Sequence, residues 1–159
     1  MLATIQKSET GYIARFERNL EHPVKDVWSM LTNNEKLEQW FSELHIEDLR
    51  KGGFIKFDMQ DGTFEEMEIT ELVLNSVLEF TWAEDIVRFE LYPEGNECLL
   101  VLIEKINKIT DHTPRDLAGW HVCLDVIHAL LDGRSFSRKD EWKKWYEKYV
   151  AAAEAVTAK

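Results

Sequence analysis

The 159-residue sequence contains only two cysteines, Cys98 and Cys123, too few for a disulfide framework. Both sit among apolar residues and read as reduced, buried thiols of a cytoplasmic protein. Positive charge is also scarce. Nineteen Lys and Arg face 30 Asp and Glu, for a net charge of −11. Nucleic acid and anionic membrane surfaces reward clusters of Lys and Arg, so neither is expected as a partner. No apolar run approaches the ~18 residues of a spanning helix, so no membrane insertion is expected. The opening "MLATIQKSETGYIARF" lacks the continuous apolar stretch of a secretory signal. Linkers rich in Pro, Gly and Ser, low-complexity tracts and repeats are missing. So are a Gly-rich phosphate loop, a P-loop and a Ser-His-Asp ordering. These absences point to one cytoplasmic domain over residues 1–159 with no cofactor.

What is present is ordinary for a globular chain: 45% hydrophobic and 31% charged residues. A chain of this size buries roughly 70% of the surface its unfolded form exposes, enough for a sizeable core. "YIARFERNL" reads as a first strand, with Ala14, Phe16 and Leu20 on one face. Pro23 suits the start of a helix over "VKDVWSMLT", and Asn33 or Asn34 can cap a second, "EKLEQWF". From residue 43 to 106 the hydrophobic period is two. "FIKFDM", "TFEEMEITEL", "VLEFTW", "IVRFELYP" and "ECLLVLIEKI" are separated by short turns, among about six strands that follow the first strand and the two short helices. The last of these is apolar on both faces for most of its length, so it is predicted to be central. Short connections favour an antiparallel meander. A long helix from Pro114 and an amphipathic helix over about 139–155 follow, and helices on one face of an antiparallel sheet make the class α+β.

The long helix, "PRDLAGWHVCLDVIHALLDG", carries unusual cargo. At 100° per residue, Leu117, Leu124, Ile127 and Leu131 fall close to Trp120, giving a wide apolar stripe that must lie across the sheet. His121 and His128 border the stripe, with Asp125 beyond them. Gly119 costs about 1 kcal/mol against alanine in a helix interior and therefore needs a reason. Close approach to a strand is the expected one, and room left beside Trp120 is the alternative.

Several constellations read as structure rather than chemistry. His121, Asp125 and His128 share one side of the helix but lack a zinc-binding pattern, so no metal is expected. Glu65, Glu66, Glu68 and Glu71 read as a solvated strand face, not a carboxylate pair across a cleft. Cys123 has no base facing it and reads as a structural thiol. The aromatics of "WKKWYEKY" share one face and are predicted to pack on the sheet or on a partner subunit. Any left uncovered would favour a homodimer.

"HPVKDVWSMLTNNEKLEQWF", "GGFIKF", "VLEFTW", "VRFELYPEGNECLLVLIE" and "AGWHVCLDVIHALLDG", in that order, resemble the helix-grip domain of proteins similar to the activator of a heat-shock-protein ATPase, within the START-like, SRPBCC superfamily. The resemblance covers about residues 10–150 and looks like the family's bacterial branch. It implies a curved antiparallel sheet wrapped around a long C-terminal helix, with two short helices after the first strand. It also implies binding of apolar small molecules, such as lipids, polyketides or aromatic compounds, between helix and sheet. The family shares no catalytic motif, so no catalytic residue is assigned. The eukaryotic name-giver has a separate N-terminal domain for which 159 residues leave no room, so a stress-response role through chaperone contact is a secondary expectation.

The leading expectation is thus a non-enzymatic protein that binds an apolar small molecule. Its cavity would be walled by Trp40, Phe57, Met67, Trp82, Phe89, Trp120 and Leu124, with His121 as the polar contact. Two alternatives are a module that meets a chaperone or client through its acidic outer surface, and a cyclase-type enzyme using His121 as acid and base.

Overall fold

The computed structural model describes residues 2–158. In chain order it contains β1 (Thr4–Lys7), β2 (Tyr12–Leu20), α1 (Val24–Thr32), α2 (Asn34–Trp40), β3 (Leu44–Asp48), β4 (Phe54–Asp58), β5 (Phe64–Val73), β6 (Val77–Trp82), β7 (Asp85–Glu94), β8 (Glu97–Ile106), α3 (Thr113–Asp132) and α4 (Arg138–Thr157). The strands form one antiparallel sheet in the order β1-β2-β8-β7-β6-β5-β4-β3. From β3 to β8 every strand pairs with the next in sequence, which is the meander that the short turns require. The class is α+β and the architecture is the helix grip: a curved sheet around a long helix, with two short helices inserted early.

Alternation builds the grip. Ala14, Phe16 and Leu20 of β2, Val87, Phe89 and Leu91 of β7, and Leu100, Leu102 and Ile106 of β8 are all buried on the inner face. Opposite them lie Leu117, Trp120, Leu124 and Ile127 of α3, each at most 2% exposed. β8 lies between β2 and β7, well inside the sheet. Pro114 stands at the start of α3 and Gly133, at φ 70°, closes it in the left-handed region.

The inserted helices are pinned by side chains. Asn33 caps α2 by accepting from the Glu35 and Lys36 N–H groups. Asn34 clamps β3 instead, donating to the Ile46 carbonyl at 2.9 Å and accepting from its N–H at 2.8 Å. The Trp40 indole donates to the Met30 carbonyl at 2.7 Å and joins α2 to α1.

Two elements depart from the sequence reading. β1 precedes the strand read as first and forms one edge of the sheet. It is a four-residue strand, too short for alternation to declare it. α4 packs on α3 and β1, so its aromatic face covers the outward side of the long helix. That is why Ala118, Val122, Val126 and Ala129, which point away from the sheet, are also buried.

Candidate functional site

Aromatic rings occupy the region between α3 and the sheet. Phe89 meets Trp40 at 6.3 Å between centroids and Trp120 at 6.0 Å, mostly edge to face. Space remains at the side, beyond the C-terminal end of α2. There a cavity of about 490 Å³ opens between the 41–43 segment, the end of β6, the first half of α3 and the start of α4. Its size falls in the ~300–1,000 Å³ range of small-molecule sites.

The floor is a ring cluster. Phe41, Trp82 and Trp120 stand 5.8, 5.6 and 5.0 Å apart pairwise, and Trp142 of α4 adds a fourth aromatic wall. Gly119 lies on the α3 side. A Cβ built there would meet nothing within 4 Å. Close packing therefore does not explain this glycine, whose missing side chain leaves room beside Trp120.

The border is polar. The Trp82 indole N–H donates to Asp116 at 3.0 Å, fixing the ring that forms the inner wall. Arg138 reaches from α4 to the Trp40 carbonyl at 2.8 Å and to the Cys123 sulfur at 3.1 Å. Burial pushes the Cys123 thiol up to about 12, so it is a structural thiol despite bordering the cavity. The buried Trp120 indole N–H meets no acceptor among the described residues.

Of the residues expected to wall the site, Trp82 and Trp120 line the cavity. Phe57 touches Trp82 and Phe41 from behind, at 5.7 and 6.0 Å. Trp40, Met67, Phe89 and Leu124 are core residues, each at most 5% exposed, and they support the floor without bordering it.

His121 is placed elsewhere. It is fully buried beneath α4, stacked on Trp145 at 3.9 Å, with Nδ1 2.7 Å from the Tyr149 hydroxyl. That hydroxyl accepts from the Ala3 N–H at 2.9 Å, leaving its proton for Nδ1. Asp125 lies 3.4 Å from Nε2, too poorly aligned for a hydrogen bond, and pairs with Arg18 at 3.0 Å. Burial pulls the histidine's pKa down, so its neutral form is favoured. His121 thus clamps α3 to α4 and, through Tyr149, to Ala3 just before β1, and it does not face the cavity. His128 pairs separately with Asp132 at 3.3 Å, so the two histidines do not converge. No group of three metal-ligating side chains occurs among the described residues.

One functional candidate was missed. Glu104 shares the parity of Leu100, Leu102 and Ile106, so it points inward from a strand read as apolar, and it is 1% exposed. No N–H group donates to its oxygens, and its partners are the carboxyls of Asp116 and Asp85, to which a protonated Glu104 donates. Burial first, and then the neighbouring Asp116 and Asp85, push its pKa well above the usual carboxylate range. Counting in twos along "ECLLVLIEKI" would have found it. Phe41, Arg138 and Trp142 carry no comparable signal, because the connections that bring them together have no periodicity.

The model of a family described as Activator of Hsp90 ATPase homolog 1-like protein matches residues 21–132. A conserved protein of unknown function from Enterococcus faecalis is 25% identical, with 97% of this chain and 91% of that one covered and a TM-score of 0.88. CalU16 from Micromonospora echinospora is 19% identical over 95% of each chain, with a TM-score of 0.73. DynU16, a protein in the dynemicin biosynthetic locus, is 21% identical over 77% of this chain and 48% of its own, with a TM-score of 0.65. No curated protein sequence matches significantly. No helix among the described residues is long and apolar enough to cross a membrane.

Proposed function

The chain belongs to the Activator of Hsp90 ATPase homolog 1-like protein family, and from that premise we propose that it binds a small molecule with apolar, aromatic surface in the cavity beside Gly119. Members of this fold often bind small molecules. The observation that carries the reading is the glycine itself. A helix interior loses about 1 kcal/mol by holding Gly rather than Ala. Here no close contact repays that loss, and the space gained lies against Trp82 and Trp120. Flat rings on the floor suit a planar guest, and Ser42, Glu43, Arg115 and Asp116 at the border supply polar contacts that orient it. The guest enters from the side of α3 next to α4, because the rings under the helix already fill one another's gaps.

The test is a titration followed by tryptophan emission, since Trp82, Trp120 and Trp142 all border the cavity. Fatty acids, flavonoids and polyketide-like aromatics form the panel. At least one is expected to give a saturable change, which Gly119→Leu weakens tenfold or more, about 1.4 kcal/mol. No saturable change with any of them, or a change that Gly119→Leu leaves intact, removes the proposal.

A further inference from the structure

The last helix is lightly held. Of the 20 residues of α4 only Tyr149 and Ala153 are buried, and it packs mainly on α3 and β1. One of those two anchors works through a hydroxyl. Tyr149 accepts the Ala3 N–H at 2.9 Å and donates to Nδ1 of His121 at 2.7 Å, and these are its hydrogen-bond partners among the described residues. With Nδ1 accepting, neutral His121 carries its hydrogen on Nε2, 3.4 Å from Asp125. The hydrogens therefore all run one way, from Ala3 through Tyr149 to His121. A proton added at Nδ1 turns that atom from acceptor into donor. The Tyr149 oxygen then faces two donors and its own hydrogen loses its acceptor, so the bond that holds α4 is given up.

The surroundings do not welcome that proton. The imidazole is 0% exposed, so water cannot solvate the charge. Asp125 on α3 favours it, but Arg18 of β2 already pairs with Asp125 at 3.0 Å and opposes it. Trp145 of α4 stacks on the ring at 3.9 Å, and Lys144 and Lys148 lie 4.9 and 4.7 Å from the centre of that indole, two more positive charges close by. Phe16 of β2 closes the remaining side with an apolar edge. We infer that acid releases α4: below neutral pH His121 takes a proton as Tyr149 lets go, and the C-terminal helix lifts from α3 while the sheet and the long helix stay folded. The sign follows from linkage. Burial holds the docked histidine below its ordinary value of 6.5, so the undocked form binds the proton more tightly. Docking is fully favoured above about pH 6.5 and weakens by up to about tenfold for each pH unit below it, until the docked value is reached. An element with so little burial is the first to open locally. Arg138 and Trp142 leave with α4, so under the small-molecule reading above acid also empties the cavity.

Hydrogen exchange and ring resonances of the full chain, followed by NMR from pH 7.5 to 5, test this. Protection factors of the α4 amides are expected to fall by up to tenfold per pH unit below about 6.5, while those of β8 stay level. The imidazole signals of His121 should titrate together with the loss of α4 protection. His121→Asn keeps an oxygen near the Nδ1 position for the Tyr149 hydroxyl but takes no proton, and it should make α4 protection independent of pH. His128→Gln, whose native ring pairs with Asp132, should leave the pH dependence in place. His121 titrating while α4 stays protected, α4 and β8 losing protection together, or a pH dependence that survives His121→Asn or vanishes in His128→Gln overturns the inference. The first two of these are read in the unaltered protein, so they decide the matter even where a variant fails to fold. No guest enters the measurements, so their failure leaves the small-molecule reading untouched.

Discussion

Consider Gly119→Ala. Gly119 is the seventh residue of a 20-residue helix, far from both caps. Alanine there restricts the unfolded chain and improves helix propensity, effects worth about 0.5–1 kcal/mol where the native backbone accepts a Cβ. The backbone is helical, and the added carbon would meet nothing within 4 Å, so no repulsion opposes the gain. For a chain of 150–250 residues a gain of 1 kcal/mol corresponds to a rise of about 2–4 °C in Tm. Urea unfolding followed by tryptophan emission and by far-ultraviolet circular dichroism should give a higher midpoint with an unchanged m-value. Gly119→Leu should also fold, since its side chain enters open space, yet it should occlude the guest. A loss of 1 kcal/mol or more in Gly119→Ala would mean that another group already occupies this side of α3, and the argument for the cavity would fail with it.

Other outcomes follow from the same contacts. Tyr149→Phe leaves the Ala3 N–H and His121 Nδ1 without their partner and should destabilise the fold by about 1–3 kcal/mol, with faster hydrogen exchange in β1 and α4. Because the pKa of Glu104 is higher folded than unfolded, the native state binds its proton more tightly. That contribution is fully present below the unfolded value of about 4.3 and is lost as pH rises toward the folded one. Glu104→Gln should therefore gain stability relative to the parent as pH rises from 5 to 8 in chemical denaturation, and a flat difference would refute the assignment. Cys123, its thiol pushed up to about 12 and shielded, should react with a maleimide at pH 8 only after unfolding. Labelling at the rate of a free thiol would contradict its placement.

The scaffold was legible because it rests on periodicity. Alternation in "IVRFELYP" put Val87, Phe89 and Leu91 inward, where they are. The 100° stripe around Trp120 chose the side of α3 that meets the sheet. The site was less legible because it forms where periodic elements end. Phe41 follows the last turn of α2, Trp82 ends β6, and Arg138 begins α4, so only the fold brings them together. His121 misled for a related reason. A histidine at the border of an apolar stripe resembles a polar contact at a pocket mouth until a second helix covers it, and the aromatic face of α4 was expected on the sheet or on a partner subunit. Glu104 was hidden by composition, since seven apolar residues in "ECLLVLIEKI" suggested an indifferent strand while its parity alone pointed inward.

The wall contributed by α4 has a consequence for how the guest site comes into being. Phe41 and Trp142 lie about a hundred positions apart in the sequence. A ribosome therefore completes the sheet and the two early helices well before the tryptophan that faces them exists. A protease cut within the 133–137 connection would likewise leave the sheet whole while loosening α4 from its place, and guest affinity would vanish ahead of the fold. If the proposed guest binds there, its retention would report whether α4 is in position, separately from whether the rest of the molecule is folded.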